Sequence, residues 1–251
     1  MSIPPLLLKS LATATRVVAL TGAGISAESG VPTFRGANGL WKKMRAEELA
    51  SMEGFLKNPA LVWEWYAHRR AILQTVQPNA GHRALVDLER LYPGLVVITQ
   101  NVDGLHRRAG SSRVYELHGN IERNSCTACG EPHPSTAVAL RDGRPMCTRC
   151  GGLVRPDVVW FGELLPKEEW EESVRASRAA DLFLSIGTSG LVFPAASLPL
   201  VARDAGAVVV EVNPEESPLT VAADVSLRGP AGEVLPALVE AARGVTRSPG
   251  T

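Results

Sequence analysis

Six apolar, β-branched runs recur along the chain, at 17–20, 95–99, 114–117, 158–161, 182–186 and 208–212, and each is continuous, with no polar residue at every second position. A strand that reads this way is covered on both faces, as in a parallel sheet flanked by helices. Helical segments fit between the runs, among them 81–91, 167–180 and 194–205. The alternation predicts an α/β chain with a Rossmann-like, doubly wound parallel sheet. At 251 residues there is room for one large domain and a smaller annex.

Small and polar residues close each run: Thr21-Gly22-Ala23-Gly24, Gln100-Asn101-Val102-Asp103, His118-Gly119, Gly162-Glu163, Gly187-Thr188-Ser189 and Asn213-Pro214. Open α/β sheets bind ligands beyond the carboxyl ends of their strands, so these segments are expected to converge. Gly22-Ala23-Gly24-Ile25-Ser26-Ala27 has the form of a dinucleotide loop. In that reading Gly22 lets the chain turn off the strand, Gly24 leaves room for a pyrophosphate, and Ala27 lets the next helix pack on the sheet. The helix N-terminus then offers free N–H groups to the phosphates. Each segment also has a plain reading: a turn at Asn213-Pro214, a helix cap at Gly187-Thr188-Ser189, a core histidine at His118. Only their joint occurrence points to a site.

Cys126-x-x-Cys129 and Cys147-x-x-Cys150 are separated by the seventeen residues 130–146, a two-knuckle zinc spacing. Four thiolates fill a tetrahedron and leave no open position, so one structural Zn(II) is expected. The alternative is two disulfides, which a chain expected in the cytoplasm disfavours. The Leu6-Leu7-Leu8 run is broken at Lys9 and Ser10, and no window is apolar for long enough to cross a bilayer. Lys+Arg 26 balance Asp+Glu 26, which argues against nucleic acid or a membrane surface as partner. A zinc ribbon can itself be a nucleic-acid module, but this one is neither strongly basic nor rich in aromatics.

Taken in order, Gly22-Ala23-Gly24-Ile25-Ser26, Pro32-x-Phe34-Arg35, Thr99-Gln100-Asn101-Val102-Asp103-x-Leu105-His106, His118-Gly119, the paired Cys-x-x-Cys, Gly187-Thr188-Ser189 and Val212-Asn213 resemble the motifs of sirtuins, NAD-dependent protein-lysine deacylases. An NAD dehydrogenase would account for the glycine loop but not for the ribbon or Gln-Asn-x-Asp. The resemblance implies that NAD is consumed: the acyl-lysine amide oxygen attacks the nicotinamide ribose as nicotinamide leaves, and the products are free lysine and an O-acyl-ADP-ribose. It makes His118 the general base acting through the ribose hydroxyls. It places Gln100, Asn101, Val102 and Asp103 around the nicotinamide ribose and carboxamide. Phe34 and Arg35 belong to a mobile loop over the reacting bond, and Ser189, Asn213 and Ala231 to the adenosine half, with Trp41, Gly187, Thr188, Pro214 and Glu215 as further cofactor-binding residues. The partner is an acylated lysine on another protein, laid as an extra strand against Val159, Phe161, Gly162 and Glu163.

Asn58-Pro59 reads as a helix start, and the helix then carries Tyr66 and Arg69 three residues apart on one face. A guanidinium beside a phenol can hold a carboxylate, which would favour succinyl or malonyl over acetyl. The alternative is ordinary: Arg69-Arg70 as a solvated face and Tyr66 as core. Tyr-x-x-Arg in this helix resembles the desuccinylase and demalonylase class of the family. The expected division is 1–36, 80–119 and 157–251 for the nucleotide-binding domain, with a helical insertion at 37–79 and a zinc-ribbon insertion at 120–156 forming the small domain.

Overall fold

The computed structural model describes residues 2–33, 46–133, 139–141 and 144–246. Six parallel strands make the main sheet: β1 (Val17–Thr21), β2 (Val96–Thr99), β3 (Val114–Glu116), β9 (Leu182–Ile186), β10 (Val208–Val212) and β11 (Val225–Leu227). Their order is β11-β10-β9-β1-β2-β3. The chain therefore moves outward from β1 to β3, returns to the other side of β1 at β9, and moves outward again. The reversal between β1 and β9 is the topological switch point of a doubly wound sheet.

The continuous apolar runs follow from this arrangement. Val17 and Ala19 of β1 face one core with Leu85, Leu88, Leu184, Leu235 and Leu238. That core is covered by α1 (Pro5–Thr13), α6 (Ala80–Leu91) and α10 (Ala231–Thr246). Val18 and Leu20 face a second core with Ile98, Phe183, Leu198 and Val209, against α8 (Lys167–Ala179) and α9 (Leu198–Asp204). Both faces are dry, so alternation with polar residues has no place in these strands. α6 begins where Asn79 accepts hydrogen bonds from the N–H groups of Gly81 and His82, while its own N–H donates to His82 Nδ1.

A second assembly stands beside the sheet. Short helices α3 (Ala46–Leu49) and α4 (Met52–Lys57) lead to α5 (Pro59–Thr75), whose start is capped by Asn58 accepting from Leu61 N–H. β4 (Gly119–Cys126) pairs antiparallel with β5 (Pro132–His133) on one side and β8 (Val154–Val158) on the other. β6 (Ala139–Arg141) and β7 (Arg144–Met146) form a separate hairpin. α5 is joined to the β4–β8 pair by Trp63 Nε1 donating to Val154 O at 3.1 Å and Arg70 Nε donating to Ile121 O at 2.6 Å. A third core, with Phe55, Val62, Trp65, Tyr66, Leu105, Ile121 and Trp160, fills the space between these elements and the sheet. No helix among the described residues is long and apolar enough to cross a membrane.

Two sequence expectations are corrected. The run 158–161 is not a strand of the parallel sheet. Val158 ends β8, and the chain turns at once, with Phe161 N–H donating to Ala50 O and Glu163 N–H to Trp160 O. The sixth parallel strand is instead β11, three residues at the sheet edge held by β10 alone. In addition, the helix expected over 194–205 is a 3-10 turn, Ala195–Ser197, followed by α9.

The switch point makes a severe demand on backbone. Gly24 N–H donates to Gly187 O at 2.8 Å, and a Cβ on Gly24 would lie 2.7 Å from Gly187 Cα. Gly187 has φ +58°, and a Cβ there would lie 2.6 Å from Ile25 N. Gly187→Ala is expected to lower folding stability by about 2 kcal/mol or more, because rigid backbone is in the way and the conformation is disfavoured for an L side chain. A urea midpoint equal to that of the parent chain would contradict the packing described.

Candidate active site

The carboxyl ends of the strands are tied to one another before any ligand is considered. Thr21 Oγ1 donates to Thr99 Oγ1 at 2.8 Å, and the same Thr99 oxygen accepts from Asn101 N–H at 3.0 Å. Asn101 Nδ2 donates to Gly22 O at 3.0 Å and to Ser26 Oγ at 3.2 Å, which fixes the glycine loop to the segment after β2. Gln100 Nε2 donates to Thr188 Oγ1 at 3.0 Å, and Asn213 Nδ2 to Thr188 O at 3.0 Å. Four loops distant in sequence are thus one hydrogen-bonded unit, and its groups enter the site with little left to order.

A cleft of about 800 Å³ opens over this unit and runs toward α5. The glycine loop contributes Gly22, Ala23, Gly24 and Ala27 to its wall; the segment after β2 contributes Gln100, Asn101 and Val102. Gly187, Thr188, Ser189, Asn213, Pro214, Glu215 and Ala231 line one end, while Tyr66 and Arg69 of α5 line the cleft together with Val159, Phe161 and Gly162. His118 is also in the wall. Its Nδ1 lies 2.9 Å from Gln100 O, and because a carbonyl only accepts, Nδ1 carries the proton and Nε2 is the basic nitrogen. Burial lowers the His118 pKa below the ordinary histidine value, partly opposed by that carbonyl, so the ring is neutral near pH 7.

Several expected site residues stand behind the wall. Ile25 is in the first core. Ser26 is buried and donates to Asp103 Oδ2 at 2.7 Å, and Asp103 Oδ1 accepts from Leu105 N–H at 2.9 Å. Burial pushes the Asp103 carboxyl upward in pKa, against those two hydrogen bonds and the charge of Arg69. Glu163 is held by the Arg155 guanidinium and accepts from Trp160 N–H at 2.7 Å. It braces the loop after β8 and is absent from the cleft wall. Ala27 is exposed at the cleft instead of packing on the sheet, and the loop's short helix α2 is only Gly24–Ala27. The space that Gly24 was expected to leave for a pyrophosphate is filled, on its Cβ side, by the Gly187 backbone. Phe34, Arg35 and Trp41 lie outside the described residues.

Sequence reasoning missed a buried histidine pair and an indole. His82 and His106 pack with ring centroids 4.9 Å apart, and His106 Nε2 lies 2.8 Å from Thr21 Oγ1, under the glycine loop. Burial takes their pKa values down to about 4 and about 3, so both are neutral. Trp160, inside a run read as a plain strand, donates its Nε1–H to Tyr66 Oη at 2.8 Å. The Arg69 guanidinium lies 4.8 Å from the Trp65 ring centroid and 5.8 Å from that of Tyr66, while Arg70 turns away to stack 5.3 Å over Trp63. The two arginines therefore do not form a common solvated face.

The four cysteines form a separate cluster. Their sulfurs lie within 4.8 Å of one another, with Cys126–Cys150 at 3.5 Å and Cys129–Cys147 at 3.8 Å. A tetrahedral zinc with Zn–S of about 2.3 Å requires S···S separations of about 3.8 Å. None of the four is in a disulfide. The N–H groups of Ala128 and Gly152 point at Cys126 and Cys150 sulfur, each at 3.4 Å, the way knuckle amides support thiolate ligands.

Residues 22–194 match the model of the Sir2 family. A relative from Pyrobaculum aerophilum, described as NAD-dependent protein deacylase 2, is 53% identical over 230 residues, which is 92% of this chain and 92% of the relative. A solved Sir2 homolog–NAD complex is 48% identical with a TM-score of 0.90, covering 98% of this chain and 96% of that one. A Sir2–p53 peptide–NAD+ structure is 32% identical with a TM-score of 0.84, covering 95% and 98%.

Metal analysis of purified protein is expected to give about one zinc per chain, and a strong chelator to unfold the β4–β8 ribbon while the parallel sheet persists. Zinc-free protein with an unchanged circular dichroism spectrum and melting curve would contradict a structural metal.

Proposed function

The chain belongs to the Sir2 family, and from that premise we propose that it removes acyl groups from protein lysines at the expense of NAD, with acidic acyl groups among its substrates. The observation that carries this reading is that one cleft is lined by the glycine loop, His118, Tyr66 and Arg69 together. An NAD-dependent deacylase needs a nucleotide seat, a neutral base and a channel for an acylated side chain in one place.

In this reading the adenosine half of NAD lies toward Ser189, Asn213, Pro214, Glu215 and Ala231, and the nicotinamide half toward Gln100, Asn101 and Val102, with Phe34, Arg35 and Trp41 as further contacts. NAD supplies an electrophilic ribose carbon with a good leaving group. The chain's own part is to orient and to move a proton. His118 Nε2 accepts a proton from a ribose hydroxyl, with the Gln100 carbonyl holding its tautomer. Asp103 acts from behind by holding Ser26, which in turn accepts from the Asn101 amide. Within the domain division expected from the sequence, the sheet domain provides the nucleotide side, and the helical insertion 37–79 brings Trp65, Tyr66 and Arg69 to the acyl side. The protein substrate lies along 158–163, where exposed Phe161 lines the cleft together with exposed Leu191 and Phe193 as an apolar entrance.

Tyr66 and Arg69 give the acyl channel its selectivity. Tyr66 is 1% exposed, and burial holds its pKa above the ordinary value, so its hydroxyl stays protonated. A guanidinium and a phenol O–H in one wall suit the two oxygens of a succinyl or malonyl carboxylate. A four-cysteine ligand set without a disulfide favours the reducing cytoplasm as the place of work.

Arg69→Met is expected to lower kcat/KM for a succinyl-lysine peptide by about a hundredfold while deacetylation stays measurable, since only the acidic acyl group loses a charge partner. Equal losses on both peptides would refute the carboxylate reading. For His118, the neutral ring is the active form, so lowering the pH through its folded pKa removes activity. Because burial sets that pKa below 6.5, the acid limb of kcat/KM is expected below pH 6.5 and to vanish, with the activity, in His118→Ala. An acid limb above pH 7, or near-normal turnover by the alanine variant, would remove His118 from this role.

A further inference from the structure

The hydrogen bond from Trp160 to Tyr66 decides more than packing. An indole N–H is a donor only. Its bond to Tyr66 Oη at 2.8 Å therefore occupies an acceptor position of the phenol, and the phenol's own proton has to point elsewhere. Both rings are buried, at 2% and 1% exposure, and among the described residues no hydrogen bond has Tyr66 Oη as the donor. Both residues line the cleft. A buried hydroxyl with a spoken-for lone pair and an unused proton, at the wall of a cleft beside a guanidinium, is built to give a hydrogen bond to a ligand.

Trp160 has little freedom to change this. The Arg155 guanidinium sits over its ring, 3.5 Å from the centroid, and Phe55 packs against it at 5.3 Å. Its backbone N–H is fixed to Glu163, which the same Arg155 holds. The indole direction is thus set by three elements.

We propose that Trp160 is a specificity-determining positioning residue that holds Tyr66 in the donor state, so that the acyl end of the cleft presents hydrogens only, from Tyr66 and from Arg69. Such a wall takes acyl groups whose terminus only accepts, the carboxylates, and rejects the amide of the same size, whose NH2 group would meet donors with no acceptor. This inference rests on the carboxylate reading of Tyr66 and Arg69 and adds to it the reason for discrimination between acid and amide.

The test compares kcat/KM for lysine peptides carrying succinyl and its terminal amide, succinamoyl, two groups of nearly equal size. Because the readout is the ratio within each protein, a general loss of activity cancels. The parent chain is expected to prefer succinyl by about a hundredfold or more. Trp160→Phe keeps an aromatic ring, removes the N–H and frees Tyr66 to accept, so the ratio is expected to fall by about tenfold. Tyr66→Phe is expected to give a similar fall, and adding Trp160→Phe to it no further one, since the two act through one hydrogen bond. Should Trp160→Phe fail to fold, benzothienylalanine at position 160, which keeps the bicyclic shape and lacks only the N–H, gives the same readout. An unchanged ratio in either variant, or additive losses in the double variant, would overturn the proposal. If Arg69→Met alters the ratio and removal of the indole N–H does not, this inference fails alone; if Arg69→Met also leaves the ratio unchanged, the carboxylate reading has failed and takes this inference with it.

Discussion

The contact on which the site depends is backbone against backbone, where the loop after β1 meets the loop after β9. Gly24 N–H reaches Gly187 O at 2.8 Å, and neither residue has space for a side chain. That contact closes the floor at the point where strand order reverses. Asn101, Gln100 and Asn213 then add side-chain bonds from three further positions, all ending on the two joined loops. With these groups held in advance, little entropy remains to be lost when a nucleotide binds, which is the physical meaning of preorganisation here.

The opposite wall has a different origin. It is the surface of a core, not a set of loop ends. Trp65, Tyr66 and Trp160 belong to the cluster that also takes in Val102 and Leu105 from the segment after β2. The α5 wall and the loop wall therefore meet in one core, and a displacement of α5 would be felt at Asn101 through Val102. Arg155, beneath the Trp160 ring and tied to Glu163, anchors this core to β8 and hence to the ribbon. In this account the zinc cluster acts at a distance, by keeping β4 and β8 in register.

Much of this was legible in the sequence because burial on two faces and metal ligation both leave strong patterns. Five of the six apolar runs are parallel strands, and the cysteine spacing matches the sulfur cluster. The failures are equally physical. The run 158–161 is apolar because it lines a core and a cleft, and an apolar run alone does not distinguish that from a central strand. β11 is three residues long and paired on one side, too short for any period to show. A glycine pattern says that space is needed but not for what; the side of Gly24 where a Cβ would stand is taken by the Gly187 backbone. His82 and His106 are 24 positions apart and meet only because α6 and the segment after β2 pack together. The indole of Trp160 had a visible signal, a tryptophan N–H in an otherwise apolar run, but its partner 94 positions away did not.

The central claim is that lysine deacylation and NAD cleavage are one event in one cleft. Its most direct measurement is product analysis by mass spectrometry after incubating the protein with an acyl-lysine peptide and NAD. The account predicts one nicotinamide and one acyl-ADP-ribose for each lysine freed, and no freed lysine when NAD is withheld. Release of the acyl group as the free acid with NAD left intact would contradict it.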